Sequence, residues 1–390
     1  MSEFKLNRYI LACCLILFVI FSCSIARNEN TGHASDDQET DEILTKTAAQ
    51  ELMAAPPAGP VMVSYEGELL NIFFHPLVAR PEIAFKGNMK EHFLEWFVTA
   101  DEYIKILDEL YIRDYVLVDI NEFYSVTYTN NKKTVEAKKF LVPEGKKPVI
   151  LSVDDLSYYE HCRKNGFVHK LVLDQNGNIA AWTDTPSGGG DSSGGELSYD
   201  LDIITITEDF IKQHPDFSIR GAKGIIALTG YEGILGYQTQ AENSKTPGYQ
   251  KEIENAKIIV NKLKELGWRF ASHSWGHLNM PKVPMSWFTY DNKLWDREVK
   301  PILGETDLYI YPFGAGLENI EEKHKILRDR NFNLFFGVGG GYGYKVGPGA
   351  EYIFLSRRNI DGQYFRIFRN SENKLFDIDK VMDKKNRGIR

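Results

Sequence analysis

Short apolar runs alternate with segments of helical periodicity along most of this 390-residue chain. That alternation predicts parallel strands with helices packed outside them. Strands are expected at Asn71–Phe74, Tyr115–Val118, Val149–Val153, Gly224–Gly230, Trp268–Ser272, Leu308–Tyr311 and Leu334–Gly337. Helices are expected at Thr99–Leu110, where Ile104, Leu107 and Leu110 recur on one face, and at Ile203–His214, Gln250–Leu266, Lys293–Leu303 and Ile320–Arg330. Gly267 stops the third of these. Between Asp155 and Gly224 the alternation lapses into a long excursion. A hairpin is expected there at Lys170–Ala180, turning at Asn176-Gly177. The glycine run Ser187–Gly195 follows as a slack surface loop, because no Lys-Ser/Thr comes after it to make a phosphate cradle. Near the end, Asn359-Ile360-Asp361-Gly362 reads as a turn closing a terminal strand.

The first residues break this pattern. Lys5 and Arg8 precede an apolar run from Tyr9 to Phe21, too short for a comfortable membrane span and of signal-peptide length. Ile20-Phe21-Ser22-Cys23 resembles a bacterial lipobox, in which the cysteine, here Cys23, is lipidated and becomes the mature N-terminus. Ordinary secretion, or retention as an anchor, are the alternatives. The chain is then acidic and polar to Ala54–Pro60, which predicts a flexible tether. The expected organisation is a signal peptide over 1–22, an acidic linker over 23–60, and a globular body over 61–390 carrying an insertion at 160–200.

Only Cys162 lies in that body, so no internal disulfide can form and a core must supply stability. The net charge is −8 and no basic cluster stands out, which argues against a nucleic-acid partner. The chemistry concentrates in two places. Asp154 and Asp155 end one apolar run, and His273 and His277 end another. A carboxylate with two imidazoles suits a divalent ion, with Zn²⁺ the expected one, and leaves a coordination position for water. The neighbouring carboxylate is then a candidate proton acceptor. Ser274 stands where a His-Glu-x-x-His protease would need its glutamate. His75, Asp154, Asp155, His273, His277 and Phe313 all fall at predicted strand C-termini, where barrel enzymes place their chemistry.

At these residues a family resemblance enters. Ser152-Val153-Asp154-Asp155 resembles the first motif of the polysaccharide deacetylases, the NodB-homology carbohydrate esterases of family 4. His273-Ser274-Trp275-Gly276-His277 is similar to their second, and Tyr311-Pro312-Phe313-Gly314 to their third, with Ile310 where an arginine often stands. Phe74-His75 is similar to the Tyr-His of the subgroup acting on biofilm poly-N-acetylglucosamine. The resemblance spans roughly Ile72 to Phe368. It implies an α/β fold, a distorted (β/α)7 barrel with the β-hairpin and loop inserted after the first motif. It also implies Asp155, His273 and His277 as metal ligands, Asp154 as general base and the backbone N–H of Phe313 at an oxyanion. Tyr311, Pro312 and Trp275 are candidates for the substrate groove, with core packing the alternative for the two aromatics. The family's late Leu-x-His has no counterpart in Ile367-Phe368-Arg369, so His75 is the candidate general acid. Arg357 or Arg358 would either orient Asp154 or bridge at the surface. His161, His169, His214 and His324 are expected on the surface.

The expected function is metal-dependent N-deacetylation of an extracellular glycan, by a monomer lipid-anchored at the outer face of a bacterial membrane or secreted. Two rivals differ in kind: a glycan-binding barrel that has lost its chemistry, and an amidase on a small or peptidic amide.

Overall fold

The computed structural model describes residues 59–184 and 195–389. The signal peptide, Cys23, nearly all of the acidic linker and the glycine run up to Gly194 lie outside the described residues. Seven parallel strands close into a barrel: β1 (Leu70–Phe74), β3 (Lys147–Val153), β4 (Ile225–Leu228), β5 (Arg269–Ser272), β6 (Leu308–Ile310), β7 (Leu334–Val338) and β8 (Ile353–Asn359). β8 pairs with β1, and β3 with β4, which closes the ring. Strands β1, β4 and β6 are buried along their whole length, and β3 along all but Lys147, which is why they read as largely apolar runs. Inward residues such as Ile150, Ile225, Leu308, Ile310, Phe336 and Leu355 fill the barrel axis. Outward ones such as Ile72, Leu151, Val153 and Phe270 meet the helices.

The membership of the ring differs from the sequence expectation in one exchange. β2 (Tyr115–Leu117) was expected among the barrel strands. It pairs instead with the amino half of β3, at Lys147–Val149, on the same edge whose carboxyl half, Ser152 and Val153, pairs with β4. It wedges a splayed seam and takes no place in the ring. β8 takes the seventh place. It was expected only as a terminal strand, with Arg357 and Arg358 open between orienting Asp154 and bridging at the surface; Ile353, Leu355 and Arg357 point inward in strict alternation.

The helix Ala100–Tyr111 starts at Thr99, whose hydroxyl accepts from Glu102 N while Glu102 accepts from Thr99 N. That reciprocal cap is the local reason the helix begins there. The insertion holds the expected hairpin, Lys170–Leu173 with Ile179–Thr183, and Glu196–Ser198 adds a third strand. A second hairpin, Tyr124–Thr129 with Lys132–Ala137, was not anticipated; Val135 joins the axial core from it. The helix expected at 293–303 begins earlier, at Met285, and passes through a wide π turn at Trp295–Val299. Among the described residues no helix is long and apolar enough to cross a membrane.

Candidate metal centre and catalytic cleft

β3 ends at a fork. Asp154 N still donates to Phe74 O at 2.9 Å, the last rung of the ladder. Asp155 then takes φ 59°, a left-handed conformation unusual for a non-glycine residue. The turn lets two adjacent carboxylates diverge, where a continued strand would only point them to opposite faces.

Asp154 turns toward the barrel axis. Arg357 of β8 donates to both its oxygens, Nη1 to Oδ1 at 2.7 Å and Nη2 to Oδ2 at 2.8 Å. Nη1 also reaches Ser152 Oγ at 3.1 Å, and the guanidinium lies 4.1 Å over the Phe73 ring. Burial is the largest single influence on the Asp154 carboxyl and pushes it up, but the Arg357 charge and hydrogen bonds, with the His273 and His75 imidazoles, together hold the group below the usual carboxylate range. Each carboxylate oxygen retains a further lone pair, and Asp154 lines the open cleft.

Asp155 faces the mouth. Its Oδ1 accepts from the Tyr159 hydroxyl at 2.8 Å, and that hydroxyl meets Thr229 Oγ1 at 2.7 Å. Ser157 Oγ meets the same threonine at 3.1 Å. An ionised carboxylate can only accept, so Tyr159 must donate to it and accept from Thr229, which in turn accepts from Ser157. The chain of hydroxyls therefore has one direction and fixes the orientation of Asp155. Burial opposes ionisation of Asp155, and the facing imidazoles of His277 and His273 reverse the effect, leaving its pKa lowered.

The two histidines follow β5 on a turn, as Gly276 suggested. His273 Nδ1 lies 2.8 Å from Ile310 O. A carbonyl only accepts, so Nδ1 carries the proton and Nε2 presents its lone pair toward the cleft. Burial lowers the pKa of His273, which favours this neutral form. The loop is pinned from outside. Asp291 accepts from Trp275 N at 3.1 Å and Gly276 N at 2.7 Å, and Gly230 N donates to Trp275 O at 2.9 Å. A Cβ on Gly230 would stand 2.1 Å from Trp275 Cδ1, so only glycine allows the approach. Ser274 and His277 adopt φ 58° and 49°, and Phe313 φ 59°. Such conformations cost about 1–3 kcal/mol each and collect where tertiary contacts impose them.

Asp155 Oδ2 lies 3.5 Å from His277 Nε2 and 4.0 Å from His273 Nε2, and ligand atoms of the three residues all fall within 4.8 Å of one another. Tetrahedral bonds of roughly 2.0–2.2 Å place ligand atoms roughly 3.3–3.5 Å apart. The donor set, one carboxylate and two imidazoles with a fixed tautomer on one of them, fits a divalent ion after a small contraction.

These residues open on a cleft of about 1000 Å³. His75 forms one wall; its Nδ1 lies 3.1 Å from Trp96 O, and its ring packs against Phe97. Phe313 is 65 % exposed at the opposite lip, its ring edge-on to His277 at 4.5 Å. Gly314, at φ 63°, abuts Val338, where a Cβ would stand 2.5 Å from the valine Cβ.

Other candidates fall elsewhere. Tyr311 is fully buried and stacks on Phe335 at 5.7 Å in the outer layer, so it does not line the cleft. Pro312 is buried in the turn beside it. Trp275 lies outside the cleft and lines an adjoining cavity. His324, expected on the surface, is buried between Phe335 and Tyr352, and burial lowers its pKa to about 4. The helix Glu321–Asp329 turns the His324–Leu327 face inward, and a lone histidine gave no sign of that. His161, also expected on the surface, lines the cleft, while His169 and His214 are half-buried. Cys162 sits beside His161, Sγ to Nε2 3.3 Å, but burial pushes its thiol far up, which disfavours a nucleophilic thiolate. Sequence reasoning left Arg357 undecided and missed Tyr159, Thr229 and Asp291. The inward alternation of β8 was the available signal for Arg357; the other three carried none.

A scan against family models and a search of curated protein sequences returned no match. Solved structures gave matches of low identity. A Bacillus anthracis protein assigned as a polysaccharide deacetylase shares 10 % identity at TM-score 0.44, over 82 % of this chain and 70 % of that one. A Streptococcus pyogenes deacetylase solved with acetate shares 15 % at TM-score 0.41, over 78 % and 95 %. A polysaccharide deacetylase from Bacillus cereus shares 10 % at TM-score 0.42, over 82 % and 71 %. Likeness at this level carries no argument about chemistry, which rests on the side chains above.

Proposed function

We propose that this chain is a metal-dependent hydrolase of the polysaccharide deacetylase type, removing N-acetyl groups from a glycan. The observation that carries the reading is the pairing at one barrel mouth. Asp155, His273 and His277 converge within 4.8 Å, and beside them Asp154 is held by Arg357 with lone pairs open to the cleft. The motifs that resemble the deacetylases supply the substrate class.

Asp155, His273 and His277 would hold the ion, with Zn²⁺ the first candidate. Bound there, it would supply Lewis acidity toward an acetamide carbonyl and make a water molecule more acidic. Asp154 takes the proton of the attacking water; Arg357 keeps its carboxylate ionised and aimed. By the resemblance of its motif, the backbone N–H of Phe313 would support the carbonyl oxygen as it gains charge. His75 donates its Nδ1 proton to Trp96 O, so only as the imidazolium, with a second proton on Nε2, would it protonate the departing nitrogen from Nε2 and return to the neutral ring. Water and the acetamide are consumed; acetate and a free amine leave. Arg357 anchors Asp154 although Ile310 stands in place of the motif arginine, and that favours a working site over a barrel that only binds sugar. We assign the protein to the outer face of a bacterial membrane, held through Cys23 or secreted, as a monomer without nucleic-acid partners.

The test is metal analysis of the purified chain with an acetate assay on chitin oligomers, peptidoglycan and poly-N-acetylglucosamine. We expect about one equivalent of divalent metal, acetate release lost on chelation and restored by Zn²⁺. Metal-free protein that releases acetate, or peptide products in place of acetate, would overturn the reading.

A further inference from the structure

The catalytic cleft continues past the histidine loop. A second cavity of about 350 Å³ adjoins it, and Tyr231 and Gly276 line both. Trp275 belongs to its lining, its indole N–H donating to Glu298 Oε2 at 3.1 Å. The helix Met285–Leu294 contributes Trp287 and Tyr290, which are 59 % and 48 % exposed with rings 6.0 Å apart at 80°. Tyr231 on the shared rim is 45 % exposed. One exposed aromatic is ordinary, whereas three around one concavity mark a contact surface. The π turn Trp295–Val299 helps form it, bringing Arg297 and Glu298 into its lining.

Charge narrows the occupant. The lining carries Glu242, Asp291 and Glu298 against Arg297 alone, and Arg297 is already bonded to Glu298. Glu242 is exposed and has no counter-charge among the described ion pairs. The pKa of the Tyr231 hydroxyl is raised, first by the charge of Glu232 and then by burial, with Glu242 and Glu160 adding to it. Aromatic faces within a surplus of carboxylates attract a cation carried on a ring. An N-acetylated sugar brings no charge; a hexosamine with a free ammonium does.

We propose that this groove is a distal subsite that binds hexosamine units already freed of their acetyl group, on the same glycan strand whose acetylated unit lies at the metal centre. The inference deepens the glycan-deacetylase reading and rests on it. The amine released by one cleavage would then help retain the strand for the next.

The test reads binding apart from turnover, in the full chain. A fully deacetylated glucosamine hexamer, which offers no acetyl group to cleave, is titrated calorimetrically beside the glucosamine dimer and the N-acetylglucosamine hexamer. Wild type is compared with Trp287→Ala and Glu242→Gln. We expect the deacetylated hexamer to bind wild type at least about fivefold more tightly than the dimer, and each substitution to remove most of that advantage. Equal affinity for hexamer and dimer, an unchanged advantage in Trp287→Ala, or equal binding of the acetylated hexamer would overturn the inference. Acetate release is scored separately. Its absence on every glycan defeats the deacetylase reading, while the glucosamine titration still decides the subsite.

Discussion

Arg357 and Arg387 are each buried against a buried carboxylate, in similar two-pronged geometry, and their surroundings differ. Arg387, near the end of the chain, donates to Glu102 through Nε at 2.6 Å and Nη2 at 2.8 Å. Thr99 N and Asp383 N fill the rest of that carboxylate, at 2.9 and 2.8 Å, and Arg387 spends further protons on Leu94 O and Phe97 O. Glu102 thus receives two donors on each oxygen and has no capacity left. Asp154 receives two donors in all from Arg357, lies on the cleft, and Arg357 Nε has no partner. The saturated pair fastens the C-terminal segment to the helix Ala100–Tyr111 and to the wall that carries His75. The unsaturated pair leaves lone pairs open to the cleft. Paired burial of charge is therefore no sign of function by itself; residual hydrogen-bonding capacity facing solvent is what separates the two.

The sharpest way to break this contrast is at the carboxylates. Asp154→Asn should lower acetate release by roughly 10²–10⁴-fold while metal content stays near wild type. A variant with full turnover would remove Asp154 from the chemistry. Next, Arg387→Ala should cost roughly 3–5 kcal/mol in denaturant unfolding, because Glu102 is left charged and buried. Unchanged stability would mean that the saturated pair is no fastener. Tyr159→Phe removes the donor that aims Asp155 and should weaken metal affinity about 10–100-fold, read by competition with a chelating dye. Equal affinity would make the hydroxyl chain incidental.

The smallest effect concerns a third buried carboxylate, Asp202. It is held by the Tyr158 hydroxyl at 2.8 Å and Ile204 N at 2.9 Å in place of an arginine. Burial pushes its pKa up from 3.8 to about 6. The folded state therefore keeps a proton that the unfolded chain has lost across that window. Stability should fall as pH rises from about 4 to about 6 and then level, by on the order of 2 kcal/mol. Asp202→Asn, which retains the helix cap, should flatten that part of the profile; an identical slope in both proteins would assign the titration elsewhere.

Much of the site was legible because strand ends announce themselves. An apolar run closed by Asp154-Asp155, and another closed by His273 and His277, needed only the rule that barrel chemistry gathers at carboxyl ends. What escaped was each partner that a distant strand or loop supplies. Arg357 stayed undecided between orienting Asp154 and bridging at the surface, because an inward arginine is stabilised by a carboxylate 203 residues away. The motif left Tyr311 open between the groove and the core, and the structure buries it two residues from the exposed Phe313. The accessory strand Tyr115–Leu117 has the same apolar signature as a ring strand, and only its register on β3 excludes it.

Local pattern by itself determined the repeating strand–helix order, the rim on which the candidate residues fall and the gathering of a carboxylate with two imidazoles. These follow from periodicity and from ligand chemistry, which neighbouring residues encode. Tertiary structure alone decided which strands close the ring, that Asp154 is caught by Arg357 while Asp155 turns to the mouth, and that an aromatic, acidic groove adjoins the cleft. Those outcomes depend on contacts between residues far apart in the chain, whose free energy exists only once the barrel has closed.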